Sequence, residues 1–485
     1  MIPLHLRDVV ALTGGALHPA SPSDDPSGAR PEDLLVDGPV TTDSRECGPG
    51  SLFVARVGEH ADGHAFAAAA RSAGAVAVLG ERPVPELGTV VVPDVQSAFG
   101  ALARGVHDRA RAGGLRTVAI TGSSGKTSTK DLLGQVLATA GPTVAPVGSY
   151  NGEIGVPLTV CRVEPATRFL VAEMGARGVG HIAYLTRIAP PDVAVVLNVG
   201  LAHVGEFGSQ DAIARAKGEL VEALSPDGTA VLNADDPRVA AMASRTPGHV
   251  VTVGVEQPAD VTAGDVVLDA AGRASFTLHG WGLDLPVRLA VSGAHQVGNA
   301  LSVVAAAVAV GLDPTDAVAA LGAAGAASRW RMEVHEREDG VTVVNDAYNA
   351  NPDSMAAALR ALRAIADAPT AQGGARRRTV AVLGAMLELG DQADAEHAGI
   401  GRLATELGVD RVLVVGEGAR AVAAGSDPAV TTLVADTDAA YDVLQRELRA
   451  GDVVLLKSSR DAGLRWLGDR LAGVPLPAGA GTVPA

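Results

Sequence analysis

Lysine is scarce in this chain. Only Lys126, Lys130, Lys217 and Lys457 occur in 485 residues, and arginine carries the rest of the ordinary positive charge. That bias fits a GC-rich genome and makes every lysine worth explaining. Cysteine is scarcer still: Cys47 and Cys161 are too few for a disulfide framework and fit a reducing cytosol. Aromatic residues make up 3% of the chain, so its layers must be packed from Ala, Val and Leu. A surplus of positive charge is also missing. The net charge of −16 argues against a nucleic-acid partner held by counterion release, and none is expected. The longest apolar stretch, Leu301 to Leu312, falls short of the roughly 20 residues that span a membrane, so no membrane insertion is expected. The first ten residues lack the cationic start and apolar core of a signal peptide. A soluble cytoplasmic protein is expected.

What is present is an alternation of strand-like and helix-like segments, too long for one core. Up to about residue 112, strand-like runs lie at Leu52–Val54, Ala75–Leu79 and Thr89–Val92, with a helix-like stretch from Ala65 to Ser72. Residues 20–33 are rich in Pro, Ser and Asp and read as a surface loop. A second segment, 113–328, alternates strands (Thr117–Ile120, Thr167–Ala172, Asp192–Leu197, Thr229–Leu232) with helices and closes with a helix from Asn299 to Val310. A third, 329–485, repeats the pattern with strands at Val341–Asn345, Arg378–Leu383, Arg411–Val415 and Asp452–Leu456. The fold class expected is α/β in three domains: an N-terminal domain, a central P-loop mononucleotide-binding parallel sheet, and a C-terminal Rossmann-like domain.

The most specific motif is TGSSGKTSTK, Thr121 through Lys130, between an apolar strand and a helix-like run from Asp131 to Ala138. Its spacing is shorter than the common P-loop: Gly122, Ser123, Ser124, Gly125, Lys126, Thr127 and Ser128 form the turn and helix start. Backbone N–H groups there can wrap a phosphate, Lys126 adds a point charge, and the Thr127 hydroxyl can sit on Mg²⁺. An acidic chain must hold a triphosphate with a few such placed cations and metal ions rather than a general field.

Several polar residues stand where an apolar strand ends, the position at which open α/β sheets gather ligands. Glu173 follows Phe169–Ala172, and near Thr127 it could bind Mg²⁺, which prefers oxygen ligands; its alternative reading is a carboxylate at a helix N-terminus. Asn198 ends another such run, with His203 five residues on. Spacing alone reads His203 as a structural hydrogen-bonder and Lys217 as part of a solvated face. Asp346, Tyr348, Asn349, Asn351 and Pro352 share an unusual turn after a strand, and Lys457 closes the run Val453–Leu456. Three of the four lysines are thereby read at strand ends.

Taken in order, these motifs resemble the Mur ligases of peptidoglycan synthesis, over nearly the whole chain. The N-terminal match is Asp43-Ser44-Arg45, Pro49 to Ala55, Gly58-Glu59 and Asp62-Gly63-His64 with Phe66. The central match joins TGSSGKTSTK, Asn151, Ile154 to Pro157, Glu173 to Ala176, Asn198 to Gly200, His203, Ala216 to Glu219 and Asn233 to Asp236. The third runs through Arg331 to Glu333, Asp346 to Pro352, Leu383-Gly384, His397, Lys457 and Arg460.

The resemblance implies an ATP-dependent, amide-bond-forming ligase that uses Mg²⁺ and joins D-alanyl-D-alanine to UDP-N-acetylmuramoyl-tripeptide through an acyl phosphate. By the same resemblance the first domain holds the uridine diphosphate, with Ser44 and Arg45 as substrate contacts. Lys126, Lys217, His203 and Glu173 become catalytic residues, with Lys217 carbamylated by CO₂. Thr127 and Glu173 would hold one Mg²⁺, and Glu173, His203 and carbamylated Lys217 a second. Asn299 and Asp346 would contact adenosine, Arg331 the phosphates, and Asn151, Tyr348, Asn349, Asn351 and Lys457 the substrates. Ser149 and Gly152 stand where better-known members carry asparagine. A monomer is expected. The folate-polyglutamylating branch of the same fold and a non-enzymatic nucleotide switch are the competing readings.

Overall fold

Runs of Val, Ile, Leu and Ala point alternate side chains to opposite faces of a sheet, and both faces must then be covered by helices. In the computed structural model, which describes residues 1–21, 30–59, 61–201, 204–368 and 376–475, these runs build three main sheets. The Pro/Ser/Asp-rich stretch at 22–29 and the C-terminal tail from 476 lie outside the described residues, as does His203.

The N-terminal sheet has five strands in the order Ala16–His18, Gly88–Val91, Ala75–Gly80, Ser51–Ala55, Val40–Thr41, parallel except for the first pair. The central sheet has nine: Thr143–Val144, Phe169–Glu173, Arg116–Thr121, Val193–Val196, Thr229–Asn233, His249–Gly254, Val261–Leu268, Arg273–Gly280 and Leu283–Ser292. Its pairings are parallel up to Val261–Leu268, and the last two are antiparallel. The sequence pattern did not reveal that antiparallel extension. The C-terminal sheet has six strands, Glu333–Glu336, Thr342–Asn345, Val453–Lys457, Thr379–Leu383, Arg411–Val415 and Thr431–Val434, with only the first pair antiparallel.

Register decides what the site contains. Glu173 lies opposite Ile120, and Val196 opposite both Thr121 and Leu232, so the polar residues that follow these strands emerge along one sheet edge. Along the central strand, Val118 and Ile120 enter the core on one face while Ala119 enters the core on the other. The helix Val95–Ala112 starts at Asp94, whose carboxylate accepts from the N–H groups of Gln96 and Ser97. Its Phe99, Leu102 and Val106 belong to a core that also contains Leu52 and Leu79 of the first sheet and Ala119 and Leu170 of the second. The two sheets share that helix.

His107 on this helix is fully buried, one ring nitrogen 2.9 Å from the Thr117 hydroxyl, and burial pushes its pKa down to about 4. Because the folded-state pKa lies below the unfolded value near 6.5, the neutral ring stabilises the fold. That contribution is complete above pH ~6.5 and is lost as the pH falls toward 4, in total about 3 kcal/mol. Urea midpoints of the parent and of His107→Gln, measured across this range, should converge as the pH falls.

Some element boundaries differ from expectation. The P-loop helix begins at Lys126 itself rather than at Asp131 and runs to Ala138. The stretch Ala65–Ser72 divides into a 3₁₀ turn, Gly63–Phe66, and a helix, Ala67–Ala73. Lys217 stands inside the helix Gln210–Glu222.

Candidate active site

The P-loop turn is made possible by Gly125, at φ +82°, a conformation that side chains with a Cβ rarely adopt. A Cβ there would also lie 2.8 Å from the Asn299 side-chain oxygen. The Asn198 side-chain oxygen, from the next strand, accepts from the N–H groups of Ser123 and Ser124, both at 2.9 Å. Lys126 Nζ folds back onto the Gly122 carbonyl at 2.7 Å. Burial lowers the Lys126 pKa; the nearby Glu173 charge works against that shift and Arg331 adds to it.

Glu173 is buried and fully engaged. Thr127 Oγ1 donates to one carboxylate oxygen at 2.9 Å, while Ser149 Oγ and Asn151 Nδ2 each donate to the other at 2.8 Å. Arg331 Nη2 in turn donates to Thr127 Oγ1 at 3.1 Å, and its guanidinium lies 4.3 Å from the Tyr348 ring centre. Arg331 Nε is buried with no hydrogen-bond partner among the described residues, as a group awaiting an anion would be. Lys217 is only 4% exposed, so it does not lie on a solvated face. Burial first, then the Lys126 ammonium, drive its pKa well below that of a free lysine.

The C-terminal domain closes the site. Lys457 Nζ binds the Asp346 carboxylate at 2.6 Å and the Asn349 carbonyl at 3.1 Å, so its charge holds the turn Asp346–Asn351 in shape. Asn351 caps the helix Pro352–Asp367 by accepting from Ser354 N, and donates to the Ser123 carbonyl at 3.4 Å. Asp353, in the first turn of that helix, accepts from Leu201 N at 3.0 Å.

All of this opens into one cleft of about 1390 Å³. Its lining includes Ser123 through Ser128, Asn151, Glu173, Lys217, Asn299, Arg331, Asp346, Tyr348, Asn349, Asn351 and Lys457. Gly122 forms the turn beneath and is not in the lining. Ser44 and Arg45 are not brought to the cleft: they form a 3₁₀ turn in which Arg45 pairs with Asp43 at 2.5 Å in solvent. Thr42 and Arg56 reach it from the same domain instead. Sequence reasoning missed both, although Arg56 directly follows the Pro49–Ala55 signature. Gly152 also lines the cleft, and a Cβ there would meet nothing within 4 Å.

The donor set suits Mg²⁺. Among the described residues no three His, Cys, Asp or Glu side chains form a ready-made metal cage. Mg²⁺ instead favours one or two carboxylates plus substrate phosphates and water, and Thr127 with Glu173 offers such an oxygen pair beside the P-loop.

Three family models match the chain: "Mur ligase family, catalytic domain" at residues 39–120, "Mur ligase middle domain" at 120–307 and "Mur ligase, glutamate ligase domain" at 330–460. The UDP-N-acetylmuramoyl-tripeptide–D-alanyl-D-alanine ligase of Mycobacterium tuberculosis is 47% identical, over 97% of this chain and 98% of the relative. A crystal structure of MurF from Acinetobacter baumannii superposes with a TM-score of 0.84 at 31% identity, covering 97% of this chain and 99% of that one. MurF ligase from Thermotoga maritima in complex with ADP gives a TM-score of 0.77 at 28% identity, covering 90% and 98%.

Proposed function

The chain belongs to the Mur ligase family, and from that premise we propose that it joins D-alanyl-D-alanine to the terminal carboxylate of UDP-N-acetylmuramoyl-tripeptide, with ATP cleaved to ADP and phosphate. The observation that carries this reading is the single cleft in which the P-loop, Glu173 and Lys217 meet Arg331 and the Asp346–Asn351 turn. Relatives with that named activity match it end to end. The described residues of one chain line the cleft on both the central and the C-terminal side, which supports a monomer as the working unit. Nucleotide-linked substrates suit a cytosolic reaction. We take residues 1–112, 113–328 and 329–485 as the substrate, ATP and ligase domains.

In the reaction the tripeptide carboxylate attacks the γ-phosphorus, the bond to the β,γ-bridging oxygen breaks, and ADP leaves an acyl phosphate behind. The neutral amine of the dipeptide then attacks the acyl carbon, the carbon–oxygen bond to phosphate breaks, and a proton is lost from nitrogen. Lys126 and the P-loop amides hold the phosphates, Arg331 stabilises the charge that gathers on them, and Asn299 and Asp346 flank the nucleoside. Asn151, Tyr348, Asn349 and Asn351 face the peptide and dipeptide, while Lys457 keeps their loop in place. Bound at Thr127 and Glu173, Mg²⁺ would neutralise phosphate charge as the anionic nucleophile approaches. The lowered pKa of Lys217 favours the neutral form that reacts with CO₂, and its carbamate would add an oxygen donor for a second ion beside Glu173, with His203 as the further ligand that the family resemblance implies. Closer contact between the central and C-terminal domains on substrate binding would exclude water from the acyl phosphate.

Purified protein given ATP, D-alanyl-D-alanine and UDP-N-acetylmuramoyl-tripeptide should yield the pentapeptide product by mass, with ADP and phosphate in equal amount. Binding of ATP with no amide formed would support the switch reading. Addition of glutamate to a folate would support the other branch.

A further inference from the structure

One lysine has no part in that chemistry, yet it is more deeply buried than any of the others. Lys130 lies one helical turn beyond Lys126 and is 1% exposed. We propose that Lys130 is a positioning residue. It locks loop 146–151 and the interdomain linker to the P-loop helix, so that the groups on Glu173 and the Arg331 guanidinium are set together.

The network closes on itself. Lys130 Nζ donates to the carbonyls of Pro146 and Gly148, the latter at 3.0 Å, and pairs with Asp131 Oδ1 at 2.6 Å. Asp131 Oδ2 accepts from Ser328 N at 2.9 Å. Ser328 Oγ accepts from Gly148 N at 3.1 Å, returning to the residue that Lys130 holds. Asp131 and Ser328 are also buried. One turn further along the helix, Gln135 exchanges hydrogen bonds with Gly325, donating to its carbonyl at 2.7 Å and accepting from its N–H at 3.1 Å.

Each arm of this ring leads directly into the site. Ser149, next to Gly148, and Asn151 beyond it both donate to Glu173. Three residues after Ser328 comes Arg331, which donates to Thr127. Its neighbours Trp330 and Met332 adopt left-handed φ values of +59° and +50°, which non-glycine residues keep only when their surroundings fix them. A displaced linker would therefore move Arg331 away from Thr127 and release Gly148. A buried ammonium with three acceptors in two segments is well suited to hold that geometry, because no water is available to replace a lost partner.

This inference rests on the ligase reading, and its test keeps the two separable. The variants are Lys130→Met, Lys130→Met with Asp131→Leu (which removes both charges), and Ser328→Ala, which opens the ring at the linker. Each should raise KM for UDP-N-acetylmuramoyl-tripeptide and lower kcat by about tenfold, the usual cost of losing a partner behind a binding group. Calorimetric affinity for the tripeptide should fall in parallel, and affinity for a Mg²⁺-loaded non-hydrolysable ATP analogue should fall with it by about tenfold, since Thr127, Glu173 and Arg331 serve the phosphates and the metal. The double variant should regain thermal stability without regaining kinetics. Native kinetics in the double variant or in Ser328→Ala would overturn the proposal, as would losses that track stability alone. If the parent enzyme itself forms no amide, the ligase reading fails instead.

Discussion

Lys126→Ala should lower kcat by about a thousandfold, with little change in thermal stability. Lys126 is half-buried, and its charge lies close enough to Glu173 and Arg331 to feel both. Bringing a carboxylate to a phosphoryl group sets like charges against each other. At 4 Å and an effective dielectric near 20, each pair of unit charges repels by about 4 kcal/mol, which corresponds to about a thousandfold in rate. Removing the cation that offsets one such pair therefore removes roughly that factor. Lys126→Met, which keeps the packing of the stem, should fall as far as alanine, and Lys126→Arg should recover only part, because a planar guanidinium does not fill the place of a compact ammonium. Steady-state rates alongside thermal unfolding separate chemistry from folding. Normal ligation by Lys126→Ala would remove the role assigned to it.

The second large effect concerns Lys217. With its pKa driven down by burial and by Lys126, its amine is neutral at a lower pH than a free lysine and is open to CO₂. Enzyme exhausted of CO₂ and bicarbonate should lose activity and regain it when bicarbonate is returned. Reactivation should speed up as the pH rises through the depressed pKa, because only the neutral amine reacts. Lys217→Ala should lose about a hundredfold or more in kcat and gain nothing from bicarbonate, while formate or acetate should restore part of the rate by supplying the missing carboxylate. Lys217→Arg, a permanent cation, should be as impaired as alanine. Full activity without CO₂, matched by an active Lys217→Arg, would leave the lysine a structural residue.

Much of the site was legible because its signals are local. The P-loop is a strand, a glycine turn and a helix within about twenty consecutive residues, and Glu173 is the polar residue ending an apolar run. What sequence could not show were contacts made across distance. Asn198 binds the P-loop amides from some 75 residues away. Lys217 read as solvated because a helix face is buried or exposed according to what packs on it, and nothing in Ala216–Glu219 names that neighbour. Ser44 and Arg45 form their own small turn, where the Arg45 hydrogen bonds hold the Asp43 pKa down to about 2, while Thr42 and Arg56 are the nearby residues that line the cleft. The antiparallel strands from Val261 to Ser292 were missed because solvent-facing residues and a register shift between Gly264 and Val267 blur their alternation. Conversely, Ser149, a departure from the family pattern, proves to donate to Glu173.

The account depends above all on the peptide carboxylate being the group that attacks ATP. Labelling the terminal carboxylate of UDP-N-acetylmuramoyl-tripeptide with heavy oxygen and weighing the products tests this directly. A carboxyl oxygen activated by phosphoryl transfer must depart with the phosphate, so the account predicts one labelled oxygen in each phosphate released and one left in the new amide. Unlabelled phosphate, or label found in AMP, would contradict it.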